Sequence, residues 1–115
     1  MTKLPDKGCL LRIYIGESDK TGGKPLYEAI VLKTRELGMA GATVLRGIMG
    51  FGANSRVHTA KILEISEDLP LVVEIVDTEE NVEKLLPWLD DVVKEGLVTL
   101  EEIKIVNYRS SRLPN

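Results

Sequence analysis

The chain has little of what most catalytic centres are made from. Among its 115 residues, cysteine and histidine occur once each, as Cys9 and His58, and the aromatics amount to one Phe, one Trp and three Tyr. A single cysteine cannot close an intrachain disulfide, and its place in the apolar run Cys9-Leu10-Leu11 reads as a buried, inert thiol. His58 has Ser55, Thr59 and Asp68 as polar neighbours in sequence but no distinguishable triad, so an ordinary loop role is expected. No acid/base pair, cysteine nucleophile or dense metal-ligand set is visible, and the chain is not expected to be an enzyme. No apolar run approaches the roughly 20 residues that cross a bilayer, and residues 1–10 carry no signal-peptide core. A cytoplasmic location without direct membrane insertion follows as the expectation. Charge is not lopsided either: 15 basic and 18 acidic residues give a formal charge of -3, which provides no long-range attraction for nucleic acid. Local basic clusters remain available for a phosphate.

What is present is globular: 43% of the residues are hydrophobic and 29% charged, whereas disorder needs few large apolar residues and extreme net charge. A domain of this size buries roughly 65% of its unfolded surface, and with so few aromatics the core must be built of interdigitated Val, Ile and Leu. Residues 7–15 read as a strand with Cys9, Leu11, Ile13 and Ile15 on one face and Leu10, Arg12 and Tyr14 on the other. A polar turn at 16–23 ends it. Pro25 then suits the first turn of a helix running to about Leu37, with Leu26, Ala29, Ile30, Lys33 and Leu37 near one side, Tyr27, Val31 and Thr34 beside them, and Gly38 as a left-handed cap.

A second strand is expected over 42–48, followed by glycines at 47, 50 and 52 that mark a bulge, a bend or a close backbone approach. Residues 53–68 allow either a short strand excursion or one helical turn. The clearest strand is 70–77, after which Asp77 and Glu80 have capping-box spacing and Val82, Leu85, Leu86, Leu89, Val92 and Val93 form a helical stripe. Pro87 predicts a kink or early break in that helix. Gly96 closes the element, and 98–106 gives a last strand in which Glu101-Glu102 marks a bulge or an exposed edge.

Two helices alternating with four strands in this order predict an α+β, ferredoxin-like βαββαβ sandwich. A single domain is expected over 1–115, with a long loop or hairpin at about 50–69. Both helices fall on one face of the sheet, so Leu10, Tyr14, Val72 and Val76 on the other face are left without cover inside one chain. Burying each such residue contributes roughly 1.5–3 kcal/mol, which favours oligomerisation.

The segments Leu11-Arg12-Ile13-Tyr14-Ile15-Gly16-Glu17, Gly23-Lys24-Pro25-Leu26-Tyr27, Arg46-Gly47-Ile48-Met49-Gly50-Phe51-Gly52 and Leu69-Pro70-Leu71-Val72-Val73-Glu74-Ile75-Val76-Asp77 resemble a widespread uncharacterised prokaryotic family. That family is PII-like, similar in fold to the PII signal-transduction proteins, and some of its members are associated with fluoride-exporter genes. The resemblance implies a homotrimer with its sheets around a common axis and a long loop projecting between the second and third strands. It further implies a nucleotide or other small effector, with an adenine nucleotide as the candidate, bound in clefts between subunits near 46–52 and the basic tail 108–112. The regulatory target would be a membrane transporter or an enzyme. The chain departs from true PII proteins in lacking their modifiable-tyrosine loop and their nucleotide signatures.

The residues themselves point to the same places. Gly47, Gly50 and Gly52 are suited to presenting consecutive backbone N–H groups to an anion, although no Gly-Lys-Ser/Thr ending follows to make a P-loop. Arg46 and Arg56 flank them, and Arg109 and Arg112 follow the final strand; each carries the planar fork of donors that matches a phosphate, and each reads equally as a solvated or salt-bridged arginine. Phe51 reads as an anchor for the loop or as a surface for a base. Glu17 and Asp19 have the spacing of a weak cation site. The reading favoured is a regulatory protein that binds its effector at subunit clefts and signals through the long loop. A protein-interaction or structural subunit without effector is the alternative, ahead of an interface enzyme or an RNA-binding domain; the RNA reading suffers because Glu74 and Val76 stand where stacking aromatics are wanted.

Overall fold

The computed structural model describes residues 6–51, 57–59 and 69–111, with the backbone alone at 57–59. In chain order the elements are β1 (Lys7–Gly16), β2 (Lys20–Thr21), β3 (Lys24–Pro25), α1 (Leu26–Glu36), β4 (Thr43–Arg46), β5 (Met49–Phe51), β6 (Val57–Thr59), β7 (Pro70–Asp77), α2 (Glu79–Val92) and β8 (Leu97–Lys104). Four of the strands form one antiparallel sheet in the order β4-β7-β1-β8, which is the ferredoxin-like arrangement. The period of two in β1 and β7 sets its register: Leu11 lies opposite Ile75 and Ile13 opposite Val73, all fully buried under the helices.

The helices close the core from one side. Leu26 and Ile30 of α1 and Val82, Leu85 and Leu89 of α2 are buried against the sheet together with Met39. On α1 the third buried position is Thr34, whereas Leu37 is exposed and Lys33 only half-buried, so the stripe runs 26, 30, 34. Thr34 tolerates burial because its hydroxyl donates to the Val31 carbonyl at 2.7 Å. Gly38 does take a positive φ, 71°, just past the helix.

Three local expectations are corrected. The cap of α2 is Thr78, whose hydroxyl accepts the Asn81 N–H at 3.1 Å, one residue later than the spacing of Asp77 and Glu80 suggested. Asp77 is instead buried and occupied by three donors: the N–H groups of Ala40 and Thr78, each at 2.7 Å, and the Asn81 side-chain amide at 3.0 Å. Pro87 lies within α2 and does not end it, so the early break does not occur; both Pro87 and Glu83, whose carbonyl loses its intrahelical donor, are exposed to solvent. The turn after β1 contains a hairpin, β2 with β3, whose Gly22 and Gly23 take φ of 55° and 80°, as a two-residue primed turn requires. In β8 the pairing with β1 is continuous through Glu101 and Glu102, so these acids mark an exposed edge and no bulge.

Beyond β8 the chain crosses the end of the open sheet face. The Ile105 N–H donates to the Asp6 carbonyl, and its side chain lies over Gly8, where an added Cβ would come within 2.5 Å of Ile105 Cδ1. Tyr108 then reaches the loop before β4, its hydroxyl donating to the Ala40 carbonyl at 3.5 Å.

Candidate anion site at the root of the β5–β6 hairpin

β4 is an edge strand whose last residue, Arg46, lies opposite Leu71 near the start of β7. There the chain leaves the sheet. The Gly47 N–H donates to the Pro70 carbonyl at 2.7 Å, and the backbone passes so close to the proline ring that a Cβ at Gly47 would sit 2.9 Å from Pro70 Cγ and one at Gly50 3.2 Å from it. Gly47 therefore serves close packing with a proline and has already used its own N–H. β5 then pairs with β6, with Met49 opposite Thr59 and Phe51 opposite Val57. Ile48, Met49 and Phe51 at this root are 78%, 64% and 70% exposed.

Arg46 is directed along the sheet edge to the β1–β2 turn, where its guanidinium Nη2 donates to Glu17 Oε2. Glu17 is held by main-chain geometry: its N–H donates to the Leu69 carbonyl at 2.8 Å. The turn is closed by Asp19, which accepts the Gly16 N–H at 3.0 Å and donates its own N–H back to the Gly16 carbonyl at 3.2 Å. Both carboxylates of the weak cation pattern thus have partners within the protein, and the described residues contain no cluster of His, Cys, Asp and Glu suited to a metal.

Arg109 is exposed and follows Tyr108, which is docked at Ala40 and so at the Asp77 end of β7. Arg46 is at the Leu71 end. At about 3.3 Å per residue the two ends are roughly 20 Å apart, and one chain does not bring these arginines together. Gly52, Arg56 and Arg112, also singled out from the sequence, lie outside the described residues.

The open face of the sheet is organised in rows that the sequence pattern did not reveal. Leu45, Val72, Tyr14 and Leu97 are consecutive partners across all four strands and make an apolar row, exposed at Leu45, Tyr14 and Leu97. The next row is polar: Thr43, Glu74, Arg12 and Thr99. Within it Arg12 Nε donates to Glu74 Oε2 at 3.0 Å, with Glu101 at 3.9 Å from Nη1. The hydrogen bond to Glu74 holds the Arg12 guanidinium above the usual arginine range against a smaller lowering by burial. The signal for both rows was the shared parity of positions 43 and 45, 12 and 14, 72 and 74, and 97 and 99, which becomes legible only once the register is known.

On the helix side Cys9 is buried, and burial pushes its thiol up, with Glu79, Glu102 and Glu83 adding to the shift. Beside it an open groove of about 510 Å³ runs between the start of β1, the end of β8 and Glu79 at the start of α2. Its charged lining is mixed, with Asp6, Glu79 and Glu102 against Lys7 and Lys104, so no single ligand charge is selected there. No described helix is long and apolar enough to cross a membrane.

The DUF190 family, described as "Uncharacterized ACR", matches residues 8–105. A UPF0166 protein of Aquifex aeolicus is 36% identical over 97 residues, covering 84% of this chain and 91% of the relative. A UPF0166 protein of Methanocaldococcus jannaschii is 37% identical over 100 residues, covering 86% and 92%. Among solved structures, CPII of Thiomonas intermedia K12 bound to ADP and bicarbonate superposes with a TM-score of 0.66 at 16% identity, over 88% of this chain and 90% of that one. The same nitrogen regulatory PII-like protein bound to ADP, AMP and bicarbonate gives 0.60 at 17% identity, with the same coverage. At such identity the likeness is one of fold.

Proposed function

The chain belongs to the uncharacterised prokaryotic DUF190 (UPF0166) family, structurally related to the PII-like regulatory proteins, and from that premise we propose that it is itself a regulatory protein. It binds an adenine nucleotide in clefts between its copies and signals through the segment that follows Phe51. The observation that carries this reading is the separation of Arg46 from Arg109 by the length of β7. Each is an exposed guanidinium at an opposite end of one sheet, so a crevice that uses both must be built from two copies. The apolar row Leu45, Val72, Tyr14, Leu97 supplies the surface on which copies associate. Burying a Leu, Val or Tyr there contributes roughly 1.5–3 kcal/mol each, while the row of Arg12 and Glu74 fixes the register of contact.

In this reading the assembly is a homotrimer in the cytoplasm and each chain is a single PII-like domain. Arg46 and Arg109 are the charged contacts, together with Arg56 and Arg112; Gly47, Gly50 and Gly52 shape the backbone, and Phe51 flanks the base. The ADP and AMP bound by CPII of Thiomonas intermedia support an adenine nucleotide as effector. The protein does no chemistry on its ligand: differential affinity for two arrangements of the 50–69 segment transmits the signal to a transporter or enzyme. The test is calorimetry with ADP, AMP and ATP alongside light scattering on a sizing column. Arg46→Ala and Arg109→Ala each weaken binding about tenfold or more with an unchanged circular dichroism spectrum, and Val72→Glu yields a monomer without nucleotide affinity. A wild-type monomer that binds none of the three nucleotides overturns the reading.

A further inference from the structure

We propose that Glu17 is a built-in counter-anion that occupies Arg46 and must be displaced by an incoming phosphate, so that it sets how strongly anionic a ligand must be to enter. This rests on the nucleotide reading above and deepens it.

The two partners of this ion pair are not equivalent. Glu17 is the fixed one: its N–H is tied to Leu69, and the turn that carries it is closed by Asp19 on Gly16. Its side chain is only 21% exposed, whereas that of Arg46 is 60% exposed. The guanidinium is thus open to solvent and ligand while the carboxylate waits behind it. A carboxylate on an arginine fork uses the donors that a phosphate would use, so Glu17 and a phosphate compete for one group. A monoanionic carboxylate meets an equal already in place and gains little by exchange. A phosphate with about two charges gains more from the fork than Glu17 loses, because Glu17 regains water when released.

Release also has a structural meaning. The pair is a side-chain tie between the β1–β2 turn and β4, one residue before the chain leaves the sheet at Gly47. Anion binding at Arg46 uncouples that turn from the hairpin root, which gives the ligand the differential contact energy a signalling element needs.

The test uses the full chain with Glu17→Gln, which keeps the shape of the side chain and removes its charge, Glu17→Asp as a charged but shortened control, Arg46→Ala, and the double variant. With ADP as probe, Glu17→Gln binds about two- to fivefold more tightly than wild type, the range expected for losing one partly exposed ion pair. The gain vanishes in the Arg46→Ala background. A gain that persists without Arg46 reports repulsion through space and overturns the proposal, as does unchanged or weaker binding by Glu17→Gln. A second readout needs no nucleotide: phenylglyoxal modifies Arg46 faster in Glu17→Gln than in wild type, followed by peptide mass spectrometry. Equal rates overturn the occupancy of Arg46 by Glu17 whether or not ADP binds. Faster modification with no ADP binding to any variant upholds the pair, overturns the nucleotide reading and takes the gating role with it.

Discussion

Replacing Asp77 by alanine tests how the end of the sheet where β7 meets α2 is held. The carboxylate is buried at the end of β7 and accepts the N–H groups of Ala40 and Thr78 at 2.7 Å each and the Asn81 amide at 3.0 Å. A hydrogen bond to a charged group contributes about 1.5–3 kcal/mol, and part of the sum is returned because the buried carboxylate no longer needs to be desolvated. The net loss expected for Asp77→Ala is about 3–5 kcal/mol, a large share of the roughly 5–15 kcal/mol available to a domain. With a urea m-value of about 2 kcal/mol/M the unfolding midpoint falls by roughly 2 M. Asp77→Asn keeps one acceptor oxygen but turns its NH₂ toward one of the N–H donors, and it should lose about half as much. Amide exchange at residues 105–110 should accelerate in both, because Ala40 is where Tyr108 docks. A midpoint shift below roughly 0.3 M for Asp77→Ala, or equal losses in the two variants, would refute this account of the site.

Two further outcomes follow from the packing. At Gly96, with φ of 150°, an added Cβ would come within 2.5 Å of the Tyr14 carbonyl oxygen, a backbone atom that cannot step aside. Gly96→Ala should therefore cost about 2–3 kcal/mol in urea unfolding, and a neutral result would show that the α2–β8 connection shifts freely. The thiol of Cys9 is raised in the folded chain, chiefly by burial. Its contribution to stability is full below the unfolded cysteine value of about 8.5 and declines as pH rises above it, because the unfolded state then releases a proton that the folded state keeps. Titration with Ellman's reagent at pH 8 should find Cys9 unreactive until denaturant is added; prompt reaction would contradict its burial.

The sheet was readable from the sequence because β1 and β7 are apolar runs bounded by turn residues, and the every-second set Cys9, Leu11, Ile13 and Ile15 is the one found buried. What the sequence hid was decided by partners distant in the chain. Asp77 looked like a helix cap until Ala40, 37 positions earlier, claimed one of its oxygens. Arg46 reads from the sequence as a phosphate fork or as a salt-bridged arginine, and nothing local to it shows that Glu17, 29 positions away, is the partner. Thr34, expected beside the apolar face of α1, lies in its buried stripe because the Val31 carbonyl is in reach of its hydroxyl. The Gly22-Gly23 hairpin was the one miss with a local signal, since paired glycines between Thr21 and Lys24 are what a primed turn asks for. For the candidate site, the sequence named Arg46 and Gly47 but not their internal partners, Glu17 for the guanidinium and the Pro70 carbonyl for the glycine N–H.

The joint at Pro70 has a consequence for the sheet. Because the Gly47 N–H is fastened to the Pro70 carbonyl and the Leu69 carbonyl accepts the Glu17 N–H, the chain is pinned to the sheet before β5 begins and again where β7 starts. Doubling the length of a loop between pinned ends costs only about 0.6 kcal/mol. The four-stranded sheet is therefore insulated from the length of chain that runs between those two fixed points.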